Sequence, residues 1–348
     1  MKNPTYDKVH NQFKMNGFHF DKEDMLRVAY SFIKEGEEFE KHVGEFFLDW
    51  FDENNFMNLQ TSGTTGTPKI IKIYKQAMVN SAIATGDYFH LSPGNKCLHC
   101  LPVKYIAGKM MFVRAFILGL DIDFVAPSSN PLSKNETIYD FTAMVPMQVQ
   151  NSLKDLKLVK KMIVGGAKMS ANLEKELLKI PTTVFETYGM TETITHIAAK
   201  RLSEKAFTVL PNVMISYDEK NCLVIHAPQI SDDVILTNDL VELVNENQFI
   251  FLGRYDNAVN SGGIKLIPEQ IEAKLSDKIK ARFFVIGIRD ETLGEKLILV
   301  IEGEKHFIDD SIFDKLDKYE KPKEIVFKSK FKETHNGKVL RKESIANY

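Results

Sequence analysis

The chain has 348 residues, of which 44% are hydrophobic and 26% are charged, and its formal net charge is −2. The length predicts two domains rather than one core, and the near-neutral charge gives no reason to expect a nucleic-acid partner. No run of about 18 apolar residues is present, so no insertion into a membrane is expected. Composition leaves the oligomeric state open.

Three cysteines are present, Cys97, Cys100 and Cys222, and the N-terminus has no apolar stretch. This odd, low count argues against a secreted disulfide scaffold and favours the cytoplasm. The run Cys97-Leu98-His99-Cys100 has the spacing of half a zinc site. Because the sequence has no second cysteine pair, and the run resembles a buried strand, we predict structural thiols.

Two amphipathic helices begin the predicted secondary structure. Residues 21–33 carry apolar side chains at helical spacing, with Asp21 as a suitable N-cap, and residues 39–51 repeat the pattern. Strand-like runs then alternate with helical segments at residues 70–73, 97–103, 122–125, 161–164 and 183–185. This alternation predicts an α/β fold.

Short β runs follow between residues 212 and 251, which predicts a small β-rich subdomain. The polar run "YDNAVNSGGIK" begins at Tyr255, and a compact α+β pattern continues from it. We therefore place a domain boundary there. Residues 1–254 are expected to form a large N-terminal domain, and residues 255–348 a small C-terminal domain.

The run "TSGTTGTPK" at residues 61–69 is the most unusual loop of the chain. Gly63, Gly66 and Pro68 interrupt regular structure. Glycines let backbone N–H groups approach a ligand, and the run adds hydroxyls and the charge of Lys69. These donors suit a polyphosphate, and the alternative is an ordinary flexible loop. The spacing is not that of a Walker loop, and the Rossmann and α/β-hydrolase signatures are missing from the sequence.

Five further motifs accompany this loop, in a fixed order along the chain. They are "VGGA" at 164–167, "YGMTET" at 188–193, "TND" at 237–239, "GRYDNAVNSGGIKLIPEQIE" at 253–272 and "HNGKVLRKE" at 335–343. Together with the loop they resemble the motifs of the AMP-forming acyl-CoA synthetases, also called adenylate-forming enzymes. The resemblance implies a large adenylate-forming domain and a small mobile C-terminal domain that swings about a hinge near Asp256.

The resemblance also implies the substrates and the site residues. The implied substrates are a carboxylic acid, ATP and coenzyme A, and the implied cofactor is Mg²⁺. Lys338 would bridge the acid and the α-phosphate, Thr191 would lie near that phosphate, and Glu192 would ligate Mg²⁺. Without the resemblance, Lys338 reads as one more exposed lysine and Glu192 as an ordinary helix N-terminal residue.

The implied ATP and AMP contacts fall in five motifs, on Thr61, Ser62, Gly63, Thr64, Thr65, Gly66, Lys69, Gly165, Gly166, Ala167, Tyr188, Gly189, Asp239 and Arg254. The implied coenzyme A contacts are Ser261, Gly262, Gly263 and Lys265, where Lys265 either contacts the ligand or supports its strand. Asn238 departs from the family, which usually has Gly at this position. Asp239, the expected ribose ligand, is retained.

The acyl pocket is expected in the segment "LPVKYIAGKMMFVRA" at 101–115. This segment, and the short stretch before the phosphate loop, resemble the short bacterial o-succinylbenzoate–CoA ligases of menaquinone synthesis. Their acid has a second carboxylate that needs a cation. Lys104, Tyr105 and Arg114 are the candidate contacts, with Arg114 preferred because guanidinium binds carboxylate in bidentate fashion. The alternative is an amphipathic core helix with snorkelling cations.

The predicted activity is an ATP-dependent acid–CoA ligase that acts through an acyl-adenylate, with o-succinylbenzoate as the acid. The first alternative keeps the chemistry for another carboxylic acid, or for the loading of a carrier protein. The second is a non-catalytic nucleotide-binding homologue. Retention of Glu192 and Lys338 argues against the second.

Overall fold

The structure is a computed structural model that describes residues 4–60, 70–133, 135–334, 339–346 and 348. Its helices are α1 (Lys22–Glu35), α2 (Glu38–Phe51), α3 (Lys75–Phe89), α4 (Ile106–Leu118), α5 (Pro146–Asn151), α6 (Ala171–Leu177), α7 (Pro268–Leu275) and α8 (Arg341–Ser344).

Strands follow the same order along the chain. They are β1 (Lys14–Met15), β2 (Phe18–His19), β3 (Phe56–Gln60), β4 (Ile70–Tyr74), β5 (Lys96–His99), β6 (Asp121–Phe124), β7 (Tyr139–Met144), β8 (Val159–Val164), β9 (Thr183–Gly189), β10 (His196–Arg201), β11 (Phe207–Val209), β12 (Met214–Tyr217), β13 (Cys222–His226), β14 (Ile235–Asn245), β15 (Gln248–Arg254), β16 (Val259–Ser261), β17 (Ile264–Leu266), β18 (Phe283–Asp290), β19 (Gly294–Glu302) and β20 (Glu324–Lys328).

The chain packs into two compact units. Unit 1 comprises Met1–Lys168, Lys175–Met214 and His226–Ile235, and unit 2 comprises Met169–Glu174, Ile215–Ile225 and Leu236–Tyr348. The boundary after residue 254 and the hinge near Asp256 stay predictions.

A largely parallel sheet forms the centre of unit 1. Its strands lie in the order β11, β10, β9, β8, β7, β5, β6, β1 and β2. The neighbours from β9 through to β1 are parallel, and β10, β11 and β2 are antiparallel to theirs. Parallel sheets need helices over their faces. The predicted α/β fold is therefore confirmed.

The first predicted helix is confirmed together with its cap. The Asp21 carboxylate accepts the backbone N–H of Asp24 at 2.9 Å, and the Asp24 carboxylate accepts that of Asp21 at 3.2 Å. This reciprocal pair satisfies two N–H groups that a helix start leaves without partners. Met25 and Ala29 are buried on the predicted face.

The predicted strand over residues 97–103 is wrong in its second half, because β5 ends at His99. Pro102 lacks a backbone N–H, and its carbonyl accepts the N–H of Tyr105 at 3.1 Å in a turn that leads into α4. The turn lies close to α4, since a Cβ on Gly108 would fall 2.3 Å from the Pro102 carbonyl oxygen. Leu101 and Val103 of this turn are buried and Pro102 and Lys104 are exposed, an alternation that a strand also has.

An aromatic cluster joins α2 to α4 in the core of unit 1. The rings of Phe47 and Phe112 meet edge to face at 5.0 Å, and Phe46 lies 6.0 Å from Trp50. All four side chains are buried. Aromatic burial of this kind is a large stabilising contribution, so the cluster fixes the helix on which Arg114 lies.

Unit 2 combines two groups of strands. Strands β12, β13, β14 and β15 lie side by side in that order, and a second sheet has the order β17, β16, β19, β18 with β20 beside β19. On one face of the second sheet Ile271 and Leu275 of α7 are buried in a cluster with Leu299. Phe284 and Phe331 belong to a cluster of their own. The C-terminal part is thus α+β, as expected.

The three cysteines are free and buried. Burial raises the pKa of the Cys100 thiol to about 12, and buried thiols of this kind are unreactive. Within the described ranges, no three His, Cys, Asp or Glu side chains form a group that could hold a metal ion. The burial of all three free thiols agrees with structural thiols. It also contains, in the same ranges, no helix long and apolar enough to cross a bilayer.

His99 makes the stability of unit 1 depend on pH. Burial lowers the pKa of His99 from 6.5 to about 4, and its Nε2 donates to the Gly108 carbonyl at 2.9 Å. The unfolded chain binds a proton that the folded chain excludes. We therefore expect this histidine to lower the free energy of unfolding by about 1.4 kcal/mol per pH unit as the pH falls through that window.

Urea unfolding followed by the fluorescence of Trp50 at several pH values measures this slope. The variant His99→Phe should have a slope shallower by about one proton. Equal slopes for the two proteins would contradict the assignment.

Candidate active site

Part of the predicted site lies outside the described residues, namely Thr61, Ser62, Gly63, Thr64, Thr65, Gly66, Lys69 and Lys338. The strands on either side of the predicted phosphate loop are described. Strands β3 and β4 pair in antiparallel fashion, with Gln60 opposite Ile70. The predicted strand at 70–73 is therefore confirmed as part of a hairpin.

Two of the predicted nucleotide-binding segments lie side by side at the carboxyl ends of two strands in unit 1. Gly165–Ala167 follows β8, Tyr188 and Gly189 end β9, and these neighbouring strands are parallel. The Thr187 hydroxyl donates to the Val164 carbonyl at 3.1 Å, and a Cβ on Gly165 would lie 2.8 Å from that hydroxyl. Ligands of parallel α/β sheets bind at the carboxyl ends of the strands, where these residues lie.

After Gly189 the chain reverses sharply into β10. A Cβ on Gly189 would lie 2.4 Å from the Thr195 carbonyl oxygen and 2.6 Å from the His196 Cα, so only glycine fits. The Thr193 hydroxyl accepts the backbone N–H of Met190 at 2.9 Å. Ile194 has a φ of +65°, which a β-branched residue adopts only under strain.

This reversal presents the two predicted catalytic residues of unit 1. Thr191 is half-buried and Glu192 is exposed at the turn. Mg²⁺ is usually held by one or two carboxylates together with phosphate oxygens and water. A single exposed carboxylate on a constrained turn fits that requirement.

Residues 106–115 of the predicted acyl segment lie on α4, and the cations of the segment have different environments. Lys104 is exposed and Tyr105 precedes the helix. Arg114 is only 2% exposed, so the alternative of a snorkelling cation does not hold for this side chain. Its position on α4, within the aromatic core, keeps the guanidinium inside the protein.

Arg114 has few partners for a buried cation. Its Nη2 donates to the Thr195 hydroxyl at 3.3 Å, and its Nη1 lies 3.5 Å from the Met111 sulfur. Among the described residues its Nε has no hydrogen-bond partner, and no carboxylate forms an ion pair with the guanidinium. Burial lowers the pKa of Arg114 to about 10, so the side chain stays charged at neutral pH.

In unit 2 the two predicted ribose contacts lie opposite each other on β14 and β15. The Arg254 guanidinium contacts the Asp239 carboxylate at 3.0 Å and the Asp256 carboxylate at 3.2 Å. Asn238 donates to Asp256 at 3.3 Å. The residue that replaces the family glycine therefore contacts the predicted hinge aspartate.

The predicted coenzyme A residues form the hairpin between β16 and β17. Ser261 pairs with Ile264, and Gly262 and Gly263 have φ angles of +60° and +81°, which suits a two-residue hairpin turn. Both glycines are exposed. Lys265 places its Nζ 4.5 Å above the Tyr255 ring, a contact that supports the strand.

The sequence interpretation missed Thr195 and His196. They follow "YGMTET" directly, and that position was the one available signal. It also missed Arg341, which contacts Glu272 at 2.9 Å and donates to the Val285 carbonyl at 3.0 Å. Arg341 lies three residues after Lys338 in the last motif.

Residues 22–217 match the family described as AMP-binding enzymes. This range is more than half of the chain, and the chain belongs to that family.

Among the curated relatives, the 2-succinylbenzoate–CoA ligase of Staphylococcus aureus (strain MSSA476) is 26% identical over 324 residues, which cover 81% of this chain and 65% of the relative. The ligase of the same name from Haemophilus influenzae is 23% identical over 302 residues, covering 75% and 64%. The chain thus spans somewhat less than two thirds of the length of these relatives.

Solved structures share the fold. An acyl-CoA synthetase (AMP-forming)/AMP-acid ligase II-like protein from Dyadobacter fermentans is 32% identical, with 92% of this chain and 98% of that chain covered and a TM-score of 0.63. The o-succinylbenzoate coenzyme A synthetase of Bacillus subtilis, in complex with ATP and magnesium, is 20% identical over 83% of this chain and 69% of its own, with a TM-score of 0.73. The second likeness concerns the fold alone.

Proposed function

We propose that this chain is an ATP-dependent acid–CoA ligase that acts through an acyl-adenylate, with o-succinylbenzoate as the acid. The observation that carries the proposal is the meeting of Gly165–Ala167 with Tyr188–Gly189 at the carboxyl ends of β8 and β9, next to the exposed Glu192. The names of the Staphylococcus and Haemophilus relatives support the choice of acid. The cytoplasmic location predicted from the sequence is part of this proposal.

The first half-reaction brings two anions together. A carboxylate oxygen of the acid attacks the α-phosphorus of ATP, and pyrophosphate leaves. The site must direct positive charge to the transition state. In the proposal Lys338 supplies that charge, Thr191 lies near the α-phosphate, and Glu192 holds Mg²⁺, which would neutralise phosphate charge when bound.

In the proposal, separate segments bind the phosphates, the adenine and the ribose of the nucleotide. The loop at 61–69 would bind the pyrophosphate end, and Gly165–Ala167 and Tyr188 would border the adenine. Asp239 has two carboxylate oxygens, of which one contacts Arg254 at 3.0 Å. The proposed ribose contact thus uses a carboxylate that the ion pair already orients.

In the second half-reaction the thiol of coenzyme A attacks the acyl carbonyl, and AMP leaves with the bridging oxygen. The exposed glycine turn at Gly262 and Gly263 would let backbone approach the pantetheine arm. Asp256, which contacts Arg254 and Asn238, is the proposed hinge.

Arg114 supports an acid with a second anionic group. A buried charge without a paired charge costs several kcal/mol, and this guanidinium has only Thr195 and Met111 as partners among the described residues. The non-reacting carboxylate of o-succinylbenzoate would supply the missing partner. In the proposal Lys104 and Tyr105 border the same pocket.

A panel of acids tests the activity. With ATP, Mg²⁺ and coenzyme A, we expect o-succinylbenzoate to give the fastest release of pyrophosphate. A faster aryl, fatty or amino acid would keep the chemistry and replace the acid. ATP binding with no pyrophosphate release for any acid would contradict the proposal and favour a non-catalytic nucleotide binder.

Lys338→Ala separates the two half-reactions. We expect adenylate formation to slow by about 10²–10³-fold, because a preorganised donor to the transition state is lost. Thioester formation from a preformed acyl-adenylate should be largely unchanged. Lys342→Ala, a nearby lysine in the same basic segment, is the control. Equal losses in both half-reactions would overturn the role of Lys338.

Arg114→Ala tests the acyl contact. We expect the KM for a dicarboxylic acid to rise more than the KM for the matching monoacid, since only the former loses an ion pair. Steady-state kinetics with the two acids gives this ratio, in which a general loss of folded protein cancels. An unchanged ratio would count against Arg114.

A further inference from the structure

A chain of hydrogen bonds runs from Arg114 through the interior of unit 1. The Nη2 of Arg114 lies 3.3 Å from the Thr195 hydroxyl, which lies 3.3 Å from Nδ1 of His196. The Nε2 of His196 lies 3.4 Å from the Thr85 hydroxyl, which donates to the Ser81 carbonyl at 2.9 Å. The chain thus connects α4, the reversal after β9, β10 and α3.

The groups at the two ends of this series of hydrogen bonds determine which group donates in each bond. Guanidinium can only donate, and a carbonyl can only accept. Because the Thr85 hydroxyl donates its proton to the Ser81 carbonyl, it must accept a hydrogen bond from Nε2–H of His196. A neutral imidazole with its proton on Nε2 has a lone pair on Nδ1. The Thr195 hydroxyl therefore accepts from Arg114 and donates to that lone pair.

In each of these hydrogen bonds one group donates and the other accepts. A second proton on His196 would disrupt this arrangement. An N–H on Nδ1 would compete with the hydroxyl proton of Thr195, and it would add a second cation beside Arg114. Burial and the nearby Arg114 lower the pKa of His196 well below its usual value. The side chain is also packed against Phe89, with ring centroids 5.9 Å apart.

The backbone holds Thr195 in place independently of these bonds. Its carbonyl lies against Gly189, and its neighbour Ile194 keeps a left-handed φ of +65°. The N–H of Thr195 donates to the Thr193 carbonyl at 2.7 Å. The hydroxyl therefore meets the guanidinium from a constrained backbone, and not from a mobile loop.

We propose that Thr195 and His196 are positioning residues, which hold the buried Arg114 guanidinium so that its remaining N–H groups, Nε–H included, receive a second anionic group of the acid. The inference rests on the proposed function and deepens it. It assigns selectivity for dianionic acids to a three-residue chain and not to Arg114 alone. A guanidinium fixed on one edge keeps its planar donors aligned for bidentate binding.

Thr195→Val and Thr195→Ser form a matched pair for the test, since the first removes the hydroxyl and the second keeps it. In Thr195→Val we expect the KM for a dicarboxylic acid to rise roughly tenfold or more relative to the monoacid, the usual loss for a hydrogen bond to a charged group. In Thr195→Ser the ratio should stay near that of the wild type. Equal ratios in all three proteins would overturn the proposal.

The tautomer of His196 provides a second readout that needs no substrate. ¹⁵N NMR of the imidazole in the full chain at neutral pH should show a protonated Nε2 and a bare Nδ1, and Thr195→Val should shift the Nδ1 signal. A proton on Nδ1 would contradict the proposed hydrogen-bond directions even if the enzyme is active. If the tautomer is as expected but the enzyme prefers monoacids, the proposed selectivity for dianionic acids is wrong. If no acid reacts, the proposed function fails separately.

Discussion

The close approach of Gly189 to the backbone of Thr195 and His196 is the constraint on which the rest of the site depends. With any side chain at residue 189, β9 and β10 would have to separate, because a Cβ there would lie 2.4 Å from a carbonyl oxygen. At the tight turn Thr191 is half-buried and Glu192 is exposed. The same turn directs Thr195 toward Arg114. In the proposed function, one reversal of the chain therefore serves both the nucleotide and the acid.

Electrostatics divides the candidate residues into two kinds. Asp239 and Arg254 already form an ion pair in unit 2, so their charges largely compensate each other before any ligand binds. Arg114 has no such compensation among the described carboxylates, and it is buried where charge is costly. An unpaired buried cation favours a ligand with a negative charge, because the ligand supplies the missing partner. This difference supports the proposal that Arg114 recognises the acid and not the nucleotide.

Local patterns predicted much of the fold. The capped helix from Asp21 and the strand after the predicted phosphate loop follow from spacing and capping rules that involve neighbours in sequence. The strand predicted over residues 97–103 failed in its second half, because the turn at 101–104 alternates buried and exposed residues as a strand does. Thr195 and His196 were out of reach for a different reason. Their partners Arg114 and Thr85 lie 81 and 111 residues away in sequence, so only the folded chain brings them together.

The central claim is that an oxygen of the acid becomes bonded to the α-phosphorus of ATP. Its most direct test uses o-succinylbenzoate with ¹⁸O in the reacting carboxylate, together with ATP, Mg²⁺ and coenzyme A, and mass spectrometry of the nucleotide product. The account predicts AMP that carries one ¹⁸O atom, because the bridging oxygen stays with phosphorus when the thiol attacks. Unlabelled AMP formed together with the thioester would contradict it.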